Sequence, residues 1–79
     1  MRLDKYLKVS RIIKRRTVAA DACDGGRVSV NGRTAKPSYD VKIGDVLEIS
    51  FGGNALKAKV LSLGEHVKKE DASAMYEVL

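Results

Sequence analysis

Leu3, Tyr6, Leu7, Ser10 and Ile13 recur at the spacing of a 3.6-residue helix across residues 2–16. Lys5, Lys8, Arg11 and Arg15 fall on the opposite face. One side can therefore pack on a core while the other meets solvent or phosphate. Four cations crowd between Arg11 and Arg16 and repel one another, so a turn is expected there rather than one unbroken helix. A second helix is expected over Val18–Asp24, with Thr17 as its N-cap because a hydroxyl can accept an orphan backbone N–H. Val18, Ala19, Ala22 and Cys23 give it a narrow apolar stripe of small residues. Gly25-Gly26 should end it, since glycine takes left-handed backbone at little cost.

Beyond the glycines the period changes to two. Arg27-Val28-Ser29-Val30-Asn31 alternates as a half-buried strand does. Asn31-Gly32 is a strong hairpin signal, because both residues accept positive φ. Arg33–Lys36 is the expected return strand, and Pro37-Ser38 breaks it. Val41, Ile43 and a Gly44-Asp45 turn lead into Val46–Phe51, the clearest strand in the chain. Gly52-Gly53-Asn54 reads as a turn and Ala55–Leu63 as the next strand, with Leu56, Ala58, Val60 and Ser62 on one face. Residues 64–75 read as a loop or short helix, and Tyr76–Leu79 could close the sheet. The expected class is α+β: a basic two-helix hairpin packed on a small, mostly antiparallel twisted sheet.

Length changes the picture first. With 79 residues there is room for one domain with a thin core. A contact surface is more plausible there than a deep catalytic cavity. Charge changes it further. Residues 1–36 hold ten lysines and arginines against three acids, a balance of +7, while residues 37–79 hold five lysines against seven acids, a balance of −2. Such segregation is the electrostatic footprint of a polyanion binder.

Cys23 is the only cysteine, so no intramolecular disulfide forms, which fits a reducing cytoplasm. Its apolar neighbours suggest a buried packing thiol. No apolar stretch approaches the ~20 residues that span a bilayer, and the first residues lack the apolar core of a signal peptide. A soluble, cytoplasmic protein is expected.

Several landmarks now resemble one known module. They are Arg2-Leu3-Asp4-Lys5-Tyr6-Leu7, Ser10-Arg11, Lys14-Arg15-Arg16-Thr17, Gly26-Arg27-Val28-Ser29-Val30-Asn31-Gly32, Lys36-Pro37-Ser38 and Val41-Lys42-Ile43-Gly44-Asp45. Their order and spacing resemble the S-four RNA-binding domain, a module shared by a ribosomal protein, pseudouridine synthases and tyrosyl-tRNA synthetases. The likeness implies a single domain over 1–79, with the core motif at 1–51 and a sheet extension at 52–79. The whole chain is similar to the short stand-alone members, the RqcP group of bacterial ribosome quality control. Heat-shock protein fifteen is a longer relative of that group. That likeness implies association with ribosomal RNA of the large subunit and with peptidyl-tRNA. It also implies support for C-terminal alanine tailing of stalled chains by an RqcH-type factor.

The family pattern implies Arg2, Lys5, Arg11, Lys14, Arg15 and Arg16 as RNA contacts. Arg suits phosphate because its planar fork donates two parallel hydrogen bonds. Arg16 is the first choice, since it neighbours the free N–H groups that open the second helix. Asp4 is expected to pair with a cation, with Lys8 four residues on as one candidate, and so hold the basic face in place. A ribose hydroxyl or a protein partner is the alternative for Asp4. Lys8, Thr17 and Arg33 are supporting positions. Tyr6 reads as core. With Tyr6, Tyr39, Phe51 and Tyr76 as the only aromatics, an exposed base-stacking platform is not expected.

Other classes fit less well. His66 and Cys23 are one histidine and one cysteine, too few for a zinc site, and no cofactor motif occurs. No nucleophile and acid–base pair stand together, so an enzyme is not expected. As a DNA reader the second helix would present Ala20, Asp21 and Asp24, poor groups for base edges. A protein-only adaptor would have no need of a basic hairpin.

Overall fold

The computed structural model describes residues 1–79. Helix α1 spans Leu3–Val9 and α2 spans Arg16–Asp24. Strands β1 (Val28–Val30), β2 (Arg33–Thr34), β3 (Val46–Phe51) and β4 (Asn54–Val60) follow. A 3₁₀ helix, Lys69–Met75, leads into β5 (Tyr76–Val78). The sheet is antiparallel throughout, in the order β2-β1-β3-β4-β5. This is the α+β architecture expected from the pattern of the chain.

The turn expected between Arg11 and Arg16 is present. Helix α1 stops at Val9, and Arg11 takes a left-handed φ of 62°. Its N–H still reaches the Lys8 carbonyl at 3.1 Å, and Ile13 N–H closes on Leu7 at 3.0 Å. The first amides of α1 are anchored from outside the helix: Leu3 N–H bonds Tyr39 and Asp4 N–H bonds Pro37. The Lys36-Pro37-Ser38 landmark thus secures the start of the basic helix.

Two features of α2 differ from expectation. It begins at Arg16, with Arg15 as its N-cap and no side-chain cap, so Thr17 does not cap it. The first turn closes instead through Ala19 N–H on the Arg15 carbonyl, 3.0 Å, which puts Thr17 inside the helix and exposed. Val18 is also exposed, leaving Ala19, Ala22 and Cys23 as the buried stripe. At the far end Gly26 has φ 74°, Gly26 N–H bonds Cys23 and Arg27 N–H bonds Ala22. These bonds make a Schellman termination.

The β1–β2 hairpin turns at Asn31 (φ 52°) and Gly32 (φ 84°), the double positive φ of a type I′ turn. Strand β2 is only two residues long rather than four. Ala35 N–H still reaches Val28, but Pro37 offers no N–H to extend the ladder. Asn31 also ties the hairpin to the next turn. Its amide donates to Asp45 at 3.0 Å and its carbonyl oxygen accepts Val46 N–H at 2.9 Å. Asp45 accepts further from Tyr39 Oη and Lys42 N–H. Burial alone would raise the Asp45 carboxyl, but the Lys42, Asn31 and Tyr39 donors outweigh it and hold its pKa below the ordinary value.

Strand β4 ends at Val60, three residues earlier than its composition suggests. Partner β3 begins at Val46, opposite Lys59, and past it only the Gly44-Asp45 turn meets Val60, so β4 has no strand to pair with further on that side. The next amides, Leu61 and Ser62, bond the Met75 carbonyl instead. Leu3, Tyr6 and Leu7 of α1, Val28 and Val30 of β1, Leu47 and Ile49 of β3, Val60 and Met75 share one buried cluster. Each large apolar side chain removed from water there contributes about 1.5–3 kcal/mol. Tyr6 is fully buried, and its hydroxyl donates to the Met75 carbonyl at 2.8 Å.

Candidate nucleic-acid interface

The polar node of the helical hairpin is Asp4, which is 4% exposed although it lies among cations. Arg2 grips it twice, Nε to Oδ1 at 3.1 Å and Nη2 to Oδ2 at 3.3 Å. Lys5 N–H donates to Oδ1 at 2.8 Å, and Arg16 Nε lies 3.5 Å from Oδ2. Burial pushes the carboxyl up, but Arg2, the Lys5 amide and Arg16 together hold it below the ordinary carboxylate value. The ionised carboxylate therefore fixes one guanidinium from the entrance of α1 and one from the start of α2. Both arginine side chains remain about half exposed, 54% and 47%, so their remaining donors face solvent.

The partner expected for Asp4 at helical spacing, Lys8, makes no ion pair with it. Lys8 is exposed instead. Two arginines outside the body of α1 occupy the carboxylate, so a tertiary contact has displaced the local one. Lys5 spans from this node to the C-terminal half, with Nζ 3.6 Å from Glu65 Oε1. Arg11, Lys14 and Arg15 are exposed on the connection between the helices and pair with no acid.

The structure gathers Arg2, Asp4, Lys5 and Arg16 into one contact network, with Arg15 beside Arg16 at the helix opening. Arg11, Lys14 and Lys8 line an adjoining cleft. Arg33 lies elsewhere, in a groove with Lys36 and Tyr39. Sequence reasoning did not find two members of the cleft, His66 and Lys68. They sit in a polar stretch without periodicity, and only the tertiary fold brings them beside α1. Cys23 is 3% exposed, and burial, with Asp4 and Asp24 nearby, pushes its thiol up to about 11. A thiol in that state is a packing group rather than a nucleophile.

Comparison with known proteins places this geometry. The S4 domain family model matches residues 1–47. The chain belongs to the S4 domain family. Among curated relatives, the RQC P-site tRNA stabilizing factor of Streptococcus pneumoniae is 60% identical over 79 residues, covering 100% of this chain and 90% of the relative. The protein of the same name from Bacillus subtilis is 53% identical over 79 residues, covering 100% and 92%. Among solved structures, the trimeric Vibrio cholerae heat shock protein 15 superposes with a TM-score of 0.92 at 30% identity, covering 100% of this chain and 81% of that one. The landmarks that suggested an S-four module are thus members of one in sequence and in fold. No helix is long and apolar enough to cross a membrane.

Proposed function

We propose that this chain binds structured RNA on the large ribosomal subunit and acts in ribosome quality control as a holder of P-site peptidyl-tRNA. The contacts in this reading are Arg2, Lys5, Arg11, Lys14, Arg15 and Arg16, with Asp4, Lys8, Thr17 and Arg33 in support. The observation that carries it is the Asp4 node, which spends a buried carboxylate on presenting two arginines from two helices. Folded RNA is met mainly through shape, phosphate and 2′-hydroxyl contacts, which suits such a surface. The relatives named for stabilising a P-site tRNA, alike over the whole of this chain, support the quality-control role. By the same likeness the protein is ribosome-associated, carries no catalytic step of its own, and supports C-terminal alanine tailing by an RqcH-type factor.

Co-sedimentation with ribosomal particles tests this, wild type beside Arg16→Ala. The wild type should travel with large subunits that hold peptidyl-tRNA and wash off as salt rises, as phosphate contacts do. Arg16→Ala should remain at the top of the gradient. Wild type that stays at the top at low salt would overturn the ribosomal reading. Binding only to particles without peptidyl-tRNA would point to large-subunit assembly or recycling instead.

A further inference from the structure

Beside the Asp4 node lies an open cleft of about 390 Å³, between the connection joining the helices and the segment that precedes the 3₁₀ helix. Lys8, Arg11 and Lys14 line one side, and Glu65, His66 and Lys68 the other. The four Lys and Arg side chains are exposed, and none makes an ion pair. The one carboxylate in the lining, Glu65, is already engaged by Lys5. A concavity lined by one sign of charge focuses potential and concentrates ligands of the other sign.

The backbone supplies an independent indication. Arg11 holds a left-handed φ of 62° at the end of α1, a place that glycine ordinarily takes. A side chain there costs about 1 kcal/mol. The chain accepts that strain and places a guanidinium on the wall of the cleft. Lys5 makes the cleft continuous with the first basic cluster, since its amide bonds Asp4 and its ammonium meets Glu65.

We infer that this cleft is a second phosphodiester-binding site, in which His66 and Lys68 join Lys8, Arg11 and Lys14 to hold the backbone of an RNA strand. The inference deepens the RNA-binding reading and rests on it. A strand suits the site better than a small free anion. The cleft is open, and its cations come from two separate stretches of chain, so they meet successive phosphates. The His66 imidazole can donate a ring N–H to a phosphate oxygen or a ribose hydroxyl.

Phosphate contacts are independent of sequence, so deacylated tRNA is a sufficient probe. Its affinity is measured against salt for four forms: wild type, Lys8→Gln/Lys68→Gln, Lys42→Gln/Lys57→Gln and Arg16→Ala. The two double variants lose the same charge, and all the altered side chains are exposed. Lys42 and Lys57 lie outside the cleft. The cleft variant should lower the salt slope by about 1.8, at about 0.9 per phosphate contact, and weaken binding on the order of tenfold near 0.1 M salt. The charge-matched control should leave the slope unchanged. Equal slopes for the two double variants, or no loss in the cleft variant, would overturn the cleft; a weakened Arg16→Ala in that experiment would leave the hairpin reading intact. A loss in the cleft variant with Arg16→Ala unaffected would uphold the cleft and remove Arg16 from the interface. Wild type that does not bind tRNA would overturn both.

Discussion

Arg16 Nε lies 3.5 Å from Asp4 Oδ2, so a buried residue of α1 orients the guanidinium that opens α2. Asp4 thus holds Arg2 and Arg16 in place, and under the proposed RNA-binding reading it acts as a positioning residue rather than a contact of its own. Asp4→Asn raises the net charge by one, which by simple attraction would tighten RNA binding. The expected result is the reverse: affinity falls several-fold because Arg2 and Arg16 lose their anchor. Stability should drop by about 1–2 kcal/mol as charge-assisted hydrogen bonds are lost. Filter binding together with a thermal melt checks both, and tighter binding would refute the positioning role.

The same carboxylate sets an acid limit. Asp4 and Asp45 both titrate below the ordinary value of 3.8 in the folded state. Groups with depressed pKa values contribute stability that is present above the unfolded-state pKa and lost as pH falls through the folded one. The melting temperature should therefore hold steady above about pH 5 and decline steeply below about pH 4. Asp4→Asn should show a shallower acid limb, read by melts across pH 2.5–6 (roughly the range over which carboxylates titrate).

Arg11→Gly separates folding from binding. Glycine relieves the left-handed strain at φ 62°, so stability should rise by about 0.5 kcal/mol after the added flexibility of the unfolded chain is counted. RNA affinity should fall, because a guanidinium has gone from the cleft wall. A variant that is both less stable and unchanged in binding would contradict the assignment.

Thr17→Ala should change stability by less than about 0.5 kcal/mol, the range for exposed positions without special contacts. An N-cap would lose about 1 kcal/mol on the same change. Chemical denaturation distinguishes the two values, and the threonine's place inside the first turn of α2 favours the smaller.

Thr17 also marks where the chain could be read and where it could not. Periodicity gave β3 at its full length and put Tyr6 and Leu7 in the core, because burial on one face imposes a repeat that a sequence carries openly. Asn31-Gly32 was equally legible, since few residue pairs tolerate two positive φ values. The node at Asp4 was legible in kind but not in partner. Local spacing offered Lys8, whereas the fold supplies Arg2 and Arg16. The end of β4 and the roles of His66 and Lys68 depend on segments distant in sequence, and no local pattern records them.

Tyr6→Phe probes the longest of those links. The buried hydroxyl is lost while the Met75 carbonyl keeps the Leu61 and Ser62 amides. The cost should be about 1 kcal/mol, a fall in melting temperature of about 4–8 °C for a domain of this size.

That link also bears on the order in which the protein is made. Domains tend to fold as they emerge during synthesis, N-terminal parts first. Here the basic helix leaves the ribosome early, yet its buried phenol waits for a carbonyl made 69 residues later. Strand β5, which follows directly, completes the sheet edge beside β4. The packing beneath the basic helix is therefore complete only once translation has passed Met75. Until then the helix that carries Lys5 and Lys8 stands without part of the core that supports it.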